Sequence, residues 1–237
     1  MISFAIERTN GRVPVIAGTG SNDTDYAVEM SEFACKAGAD GLLLVTPYYN
    51  KATQNGLVKM FSTIADHCTK PILLYNVPSR TGVNIEPKTY LALADHPNIA
   101  GIKEASGNIS KIVETMSLIG DKLCLYSGND DQIVPILSLG GVGAISVLSN
   151  ILPRKTVAIC DRFFAGDIKG SAALQLELHP LVNALFSEVN PIPVKAAVSA
   201  IGFGENYLRL PLTPMEEDKK QILFNLMKAQ NLTGDYQ

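Results

Sequence analysis

Tryptophan is absent from this chain of 237 residues, histidine occurs three times and cysteine four times. His67, His96 and His179 are scattered over helical or loop contexts and offer neither a catalytic triad nor imidazoles at metal-ligand spacing. Cys35, Cys68, Cys124 and Cys160 contain no Cys-x-x-Cys pair and read as isolated buried thiols, not as a metal site or a disulfide framework. Long hydrophobic runs are missing too. Stretches such as Gly41–Val45 fall far short of the roughly 18 to 20 residues that span a bilayer, so no membrane is expected among the partners. With 20 Lys+Arg against 23 Asp+Glu and no basic run, nucleic acid is not expected either, because its binding rests on clustered cations. Met1–Arg8 lacks the basic start and small-residue cleavage site of a secretory leader, which reads as a cytoplasmic chain.

What is present is an ordinary globular composition: 46% apolar residues, with 19 Gly and 13 Pro dispersed along the chain. The length suits one large domain or two small ones, and single α/β barrels run to this size. Short β-branched or Leu-rich runs alternate with amphipathic stretches. Strands are predicted at Val13–Thr19, Gly41–Thr46, Ile72–Asn76, Ala100–Glu104, Leu123–Ser127 and Ala144–Leu148, with helices filling the gaps. Runs that are apolar on both faces and alternate with helices predict an α/β fold with a parallel sheet covered on both sides. After Leu148 the pattern is helical throughout, at Pro153–Phe164, Lys169–Ser187, Pro193–Ile201 and Pro214–Ala229. Thr213-Pro214-Met215-Glu216 reads as a capped start for the last of these. The expected division is 1–150 as the α/β body and 151–237 as a helical subdomain. Met1–Arg8 reads as the back half of a helix capped near Asn10-Gly11, which implies an upstream portion.

Three segments at or just after strand ends carry residues suited to chemistry. In Gly101-Ile102-Lys103-Glu104-Ala105, strand alternation puts Lys103 between two tiny neighbours on the inner face. Burial there disfavours the ammonium and prepares a neutral amine to attack a carbonyl and form a Schiff base. The other reading is a lysine whose head reaches solvent or pairs with Glu104. Tyr75, in Tyr75-Asn76-Val77-Pro78-Ser79-Arg80, would place a phenol near that lysine if the two strands are neighbours; otherwise it is a core aromatic. Arg80 is suited to a bidentate grip on a carboxylate, or is a surface loop charge. Tyr48 and Tyr49 stand at a loop tip, where paired tyrosines commonly pack across an interface. The glycine-rich segments Gly18–Asn22 and Gly140–Gly143 fit neither dinucleotide nor Walker spacing.

Taken in order, Val15–Gly20, Pro47–Lys51, Tyr75–Gly82, Gly101–Ala105, Ser127–Asp130 and Gly143–Val147 resemble the dihydrodipicolinate synthase family, as do Asn190–Lys195 and Leu210-Pro211-Leu212. The resemblance implies a class I aldolase-type lyase. Pyruvate forms a Schiff base on Lys103, its enamine attacks aspartate semialdehyde, and cyclisation yields 4-hydroxy-tetrahydrodipicolinate, a precursor of diaminopimelate and lysine. It implies no metal and no organic cofactor. By the same resemblance Tyr75 is the proton-transferring phenol, Tyr49 reaches in from a neighbouring subunit of a homo-oligomeric dimer or tetramer, and Arg80 binds a substrate carboxylate. Backbone around Gly128 and Ile145 lines the pyruvate pocket, while Asn22 and Tyr48 match an interface site for feedback by lysine. Ser79-Arg80-Thr81 separates the chain from the related sugar-acid aldolases, the other pyruvate-dependent enzymes of this fold.

The family's TIM (β/α)8-type barrel has two βα units, with a Gly-Thr-Thr-Gly-Glu loop, ahead of the equivalent of Val13. The expectation is therefore six parallel strands lacking the first two units. A fragment or catalytically impaired form, binding pyruvate or serving structurally, is the alternative to an active lyase.

Overall fold

The computed structural model describes residues 1–232. Its elements run α1 (Ile2–Thr9), β1 (Ile16–Gly18), α2 (Thr24–Ala37), β2 (Gly41–Val45), α3 (Gln54–Asp66), β3 (Ile72–Asn76), α4 (Pro78–Thr81), α5 (Pro87–Leu93) and β4 (Ile99–Glu104). They continue with α6 (Ile109–Ile119), β5 (Cys124–Ser127), α7 (Ile133–Ser138), β6 (Gly143–Ala144), α8 (Pro153–Phe164), α9 (Ile168–Leu185), α10 (Ile192–Ala200) and α11 (Glu217–Ala229). The strands form one sheet in sequence order, β1-β2-β3-β4-β5-β6, and the paired registers from β1 through β5 are parallel. Parallel neighbours need a crossover, and the intervening helices supply it.

Two compact units divide the chain. The first comprises residues 1–128 and 138–143. Its strands β2 and β3 are buried along nearly their whole length, as the apolar runs Leu42–Val45 and Ile72–Leu74 with no alternation require. Leu42, Leu44, Ile72, Leu74, Ile102 and Leu125 from four adjacent strands are fully enclosed, as are Leu57, Phe61 and Ile64 of α3. Helix starts follow local chemistry: Asp23, Thr53 and Asn108 each accept a hydrogen bond from a backbone N–H three residues on, at 2.9, 3.2 and 3.1 Å. Helix α1 ends, as expected, at Asn10, whose left-handed backbone donates its N–H to the Ile6 carbonyl at 3.0 Å.

The second unit comprises 129–137 and 144 onward; residues 233–237 of the expected helical subdomain lie outside the described residues. Its core gathers Ile133, Leu148, Ile159, Leu178, Leu185, Ala197, Leu223 and Met227. Ser171 fits with no exposed surface because its hydroxyl donates to the Ile159 carbonyl at 2.6 Å.

Three expectations need correction. The last strand is two residues, not the five of Ala144–Leu148. The Asp130 carboxylate accepts the N–H groups of Val147 and Leu148 at 3.0 and 2.9 Å, which turns the chain into a short 3₁₀ segment instead of a ladder. Helix α11 starts at Glu217, not Pro214. Met215 is buried and the Glu216 N–H donates to the Glu188 carboxylate at 3.0 Å, so tertiary contacts hold this stretch extended against its local capping signal. The cysteines are not four buried thiols: Cys124 is exposed, and Cys35 and Cys160 are half-buried.

No helix among the described residues is long and apolar enough to cross a membrane.

Candidate active site

The site grows from the register of three adjacent strands. Tyr75 on β3 pairs with Lys103 on β4, which pairs with Tyr126 on β5. Register partners in a parallel sheet share a face, so the amine is flanked by two aromatic rings. The Lys103 Nζ lies over the Tyr75 ring, 4.0 Å from its centroid, a cation–π arrangement. All three residues sit near the C-terminal ends of their strands, the end at which parallel barrels carry their chemistry.

Small residues keep this volume open. A Cβ on Gly101 would come within 2.6 Å of the Cys124 carbonyl and 2.8 Å of Leu73. A Cβ on Gly128, just past β5, would meet Ala105 at 2.8 Å, the Glu104 carbonyl at 3.0 Å and Lys103 Cε at 3.2 Å. Gly128 thus lies against the lysine stem. Burial pushes the Tyr75 phenol up, and the Arg80 guanidinium pulls it partly back. Arg80 therefore acts on the same site from α4, although its side chain is exposed. Burial, and then the nearby Cys124, likewise push the Tyr126 phenol up.

Glu104, the alternative partner for Lys103, points to the opposite face of β4. It is 6% exposed. Its carboxylate accepts from the Ser106 N–H at 2.7 Å, from Asn76 Nδ2 at 3.1 and 3.3 Å, and from the Tyr90 hydroxyl at 3.3 Å. Burial, reinforced by that carboxylate, holds the Tyr90 phenol well above its ordinary range. Asn76 also accepts the Ile85 N–H at 3.1 Å, so one buried polar network fastens the ends of β3 and β4 together beneath the site.

A second fastening joins the loops above. Thr46, fully buried at the end of β2, donates to the Thr81 hydroxyl at 2.9 Å, and Thr81 in turn closes on the Val83 carbonyl at 3.1 Å. This holds the turn that carries Arg80. Neither Thr46 nor Tyr126 is singled out by the sequence, and Thr81 enters there only as part of Ser79-Arg80-Thr81. The lysine's partner across β5 is recoverable from the strand pattern, but the threonine pair has no local signal.

The predicted residues divide between places. Lys103, Tyr75, Arg80 and Gly128 come together. Asn22 and Tyr48 also meet, through Asn22 Nδ2 on the Tyr48 carbonyl at 3.2 Å, with Asn50 Nδ2 returning to the Asn22 carbonyl at 3.1 Å. Tyr49 is 91% exposed, and its backbone sits in the left-handed region at φ 75°. Ile145 follows β6 in the second unit and is half-buried. Among the described residues, no three His, Cys, Asp or Glu side chains are grouped to hold a metal ion.

Sheet and site together define an α/β protein of the TIM-barrel type, carrying an amine and a phenol side by side at its strand ends. The family model described as the Dihydrodipicolinate synthetase family matches residues 1–230. A 4-hydroxy-tetrahydrodipicolinate synthase of Lachnoclostridium phytofermentans is 56% identical over 232 residues, which cover 98% of this chain and 79% of the relative. The crystal structure of dihydrodipicolinate synthase from Thermotoga maritima matches with a TM-score of 0.95 at 44% identity, over 98% of this chain and 80% of that one. The chloride-inhibited dihydrodipicolinate synthase from Acinetobacter baumannii, complexed with pyruvate, matches with a TM-score of 0.95 at 41% identity, over 98% and 80%. The chain belongs to the dihydrodipicolinate synthetase family.

Proposed function

We propose that this chain is a Schiff-base lyase that condenses pyruvate with aspartate semialdehyde to 4-hydroxy-tetrahydrodipicolinate, on the path to lysine. The observation that carries the proposal is the Lys103 amine held over Tyr75, with Gly101 and Gly128 leaving room for a small keto acid. The names of the relatives and the pyruvate complex of the Acinetobacter baumannii structure support the same substrate.

Lys103 Nζ adds to C2 of pyruvate, water leaves, and the resulting iminium acidifies C3. Loss of a C3 proton gives an enamine whose carbon attacks the semialdehyde's aldehyde. The amine of that substrate then attacks C2, forming the ring and releasing Lys103. The covalent link to the lysine replaces any external cofactor. Tyr75 is the proton carrier: burial keeps the phenol protonated until it is called on, and the Arg80 charge eases its ionisation. Arg80 is assigned to a substrate carboxylate, and backbone near Gly128 and Ile145 to the pyruvate pocket. Tyr49 faces outward and is assigned to the site of another copy in a homo-oligomer. Asn22 and Tyr48, joined by their hydrogen bond, are assigned to a lysine-sensing interface. On this reading the six strands are those of an eight-strand barrel without its first two units, and 151–237 is a helical subdomain; β1 and β6, the edges of the sheet, are where further strands would pair.

Borohydride reduction in the presence of pyruvate tests the proposal. One pyruvyl unit is expected on Lys103 and none on Lys103→Ala. An adduct that persists in Lys103→Ala, or is missing from the unaltered chain, overturns the assignment. An adduct without turnover of aspartate semialdehyde would leave a pyruvate-binding protein and remove the lyase.

A further inference from the structure

The pairing of β3 with β4 does not keep one register. Ile72 pairs with Ile99 but Leu73 pairs with Gly101, so Ala100 is an extra residue on β4 and the ladder shifts there. Beyond the shift Tyr75 lies beside Lys103 and Asn76 beside Glu104. Without it, the same pairing carried forward would set Tyr75 beside Ile102 and Asn76 beside Lys103. A slip of one residue moves each later side chain to the other face, so the shift is what puts the amine on the face of the phenol.

Backbone hydrogen bonds form in either register, and the ladder alone does not choose between them. Gly101 permits the shifted pairing, since a Cβ there would meet the Cys124 carbonyl at 2.6 Å and Leu73 at 2.8 Å, but a missing side chain enforces nothing. Asn76 and Glu104 can choose. Asn76, 1% exposed, donates from Nδ2 to the two Glu104 carboxylate oxygens at 3.1 and 3.3 Å, and its carbonyl accepts the Ala105 N–H at 2.9 Å. The rest of the pair is committed as well. Asn76 Nδ2 donates to Asn84 Oδ1 at 2.9 Å and Asn76 Oδ1 accepts the Ile85 N–H at 3.1 Å, while Glu104 takes the Ser106 N–H and the Tyr90 hydroxyl. In the unshifted register Asn76 would turn to the Lys103 face and leave Glu104 buried without it, and a buried polar group that loses its partner is expensive.

We infer that Asn76 and Glu104 are a register clamp: their hydrogen bond selects the shifted pairing of β3 with β4 and thereby sets Lys103 over Tyr75. Both are positioning residues for the Schiff-base chemistry, acting through the strands that carry the lysine and the phenol. The inference rests on the proposed lyase reading and deepens it.

The test reads the position of the lysine without relying on its reaction. Reductive dimethylation of the full chain with isotopically labelled formaldehyde marks the lysine amines for NMR, and the signal missing from Lys103→Arg belongs to Lys103. Held over the ring, its methyl protons should lie upfield of those of the surface lysines, and Tyr75→Leu should abolish that displacement. In Asn76→Ala the Lys103 signal should move to the surface-lysine position. Borohydride trapping at saturating pyruvate, on fully folded protein, should slow about 10²-fold, the usual cost of a small misplacement at a reacting centre. Asn76→Asp keeps the volume and the Ile85 contact and removes only the donor, and it should lose the upfield signal too. Adding Glu104→Gln to Asn76→Asp exchanges the amide and the carboxylate and should bring the upfield signal and the trapping rate back, a recovery that a merely structural role would not give. If Asn76→Ala does not fold, the other two decide.

Retention of the upfield signal and the trapping rate in the single Asn76 variants overturns the inference, as does failure of the exchanged pair to recover them. A trapped adduct on an unaltered chain whose Lys103 signal is no different from the surface lysines removes the clamp and leaves the lyase. The upfield signal, lost and recovered as expected in a chain that traps no pyruvate, supports the clamp and removes the lyase.

Discussion

The Lys103 Nζ stands 4.0 Å from the centre of the Tyr75 ring, on the neighbouring strand and in direct register with it. The ring and the hydroxyl of Tyr75 therefore have separable jobs: one supports the amine, the other moves protons. Tyr75→Phe keeps the ring. It is expected to retain borohydride-trappable pyruvate on Lys103 while turnover with aspartate semialdehyde falls about 10²- to 10⁴-fold, the usual contribution of a positioned proton carrier. Trapping and steady-state rates measured on the same preparation check this. Equal loss of both would show that the phenol acts in forming the Schiff base itself.

Gly128→Ala places a methyl 2.8 Å from Ala105 and 3.2 Å from the lysine stem. Overpacking of this kind costs about 1–3 kcal/mol. Because the nearest mobile atom belongs to Lys103, the rate of adduct formation should drop by more than the stability loss accounts for. Urea unfolding beside a trapping time course separates the two; unchanged trapping would place Gly128 outside the pyruvate pocket.

Glu104→Gln tests the network beneath the site. The glutamine amide brings two donors to a place where Ser106 N–H, Asn76 Nδ2 and the Tyr90 hydroxyl already donate, so at least one buried donor loses its acceptor. A loss of about 1–3 kcal/mol is expected. The unfolding midpoint in urea reads it, and a neutral result would mean that the network rearranges around the amide.

What could be read in advance, and what could not, follows from how local each cause is. Strands β2 and β3 were legible because their own runs, Leu42–Val45 and Ile72–Tyr75, are apolar on both faces. That Gly101, Lys103 and Ala105 share one face followed from strand alternation; that Tyr75 shares it too needed the register of two strands. The brevity of β6 was hidden because the N–H groups of Val147 and Leu148 just beyond it are taken by Asp130, which lies more than a dozen residues earlier. The late start of α11 was hidden because Glu188 and the buried Met215 override a sound local cap. Glu104 stood as an alternative partner for Lys103 because adjacency in sequence says nothing of Asn76 and Tyr90, which only the fold brings to it.

The alkaline limb of stability should be steep. Cys68 and Cys160, and the tyrosines Tyr75, Tyr90 and Tyr126, all hold their protons above their ordinary values, chiefly through burial. The folded chain then keeps protons that the unfolded chain has released, and stability falls as pH rises through that window. For Cys68 the window opens near 9 and closes near 12. Urea midpoints measured under reductant from pH 8 to pH 11 should decline, and Cys68→Ser should flatten the first part of the decline. A constant midpoint across that range would refute the expectation.

The space around Lys103 is bounded by residues already near their minimum size: Gly101 on its own strand, Ala105 two positions on, and Gly128 facing its stem. Any substitution at the two glycines adds atoms, so variation there narrows the range of acceptable keto acids and never widens it. A relaxed specificity in this lineage has to be sought instead where side chains can still be trimmed, at Leu73 and Tyr126, and directed evolution toward bulkier donors should begin with those two positions.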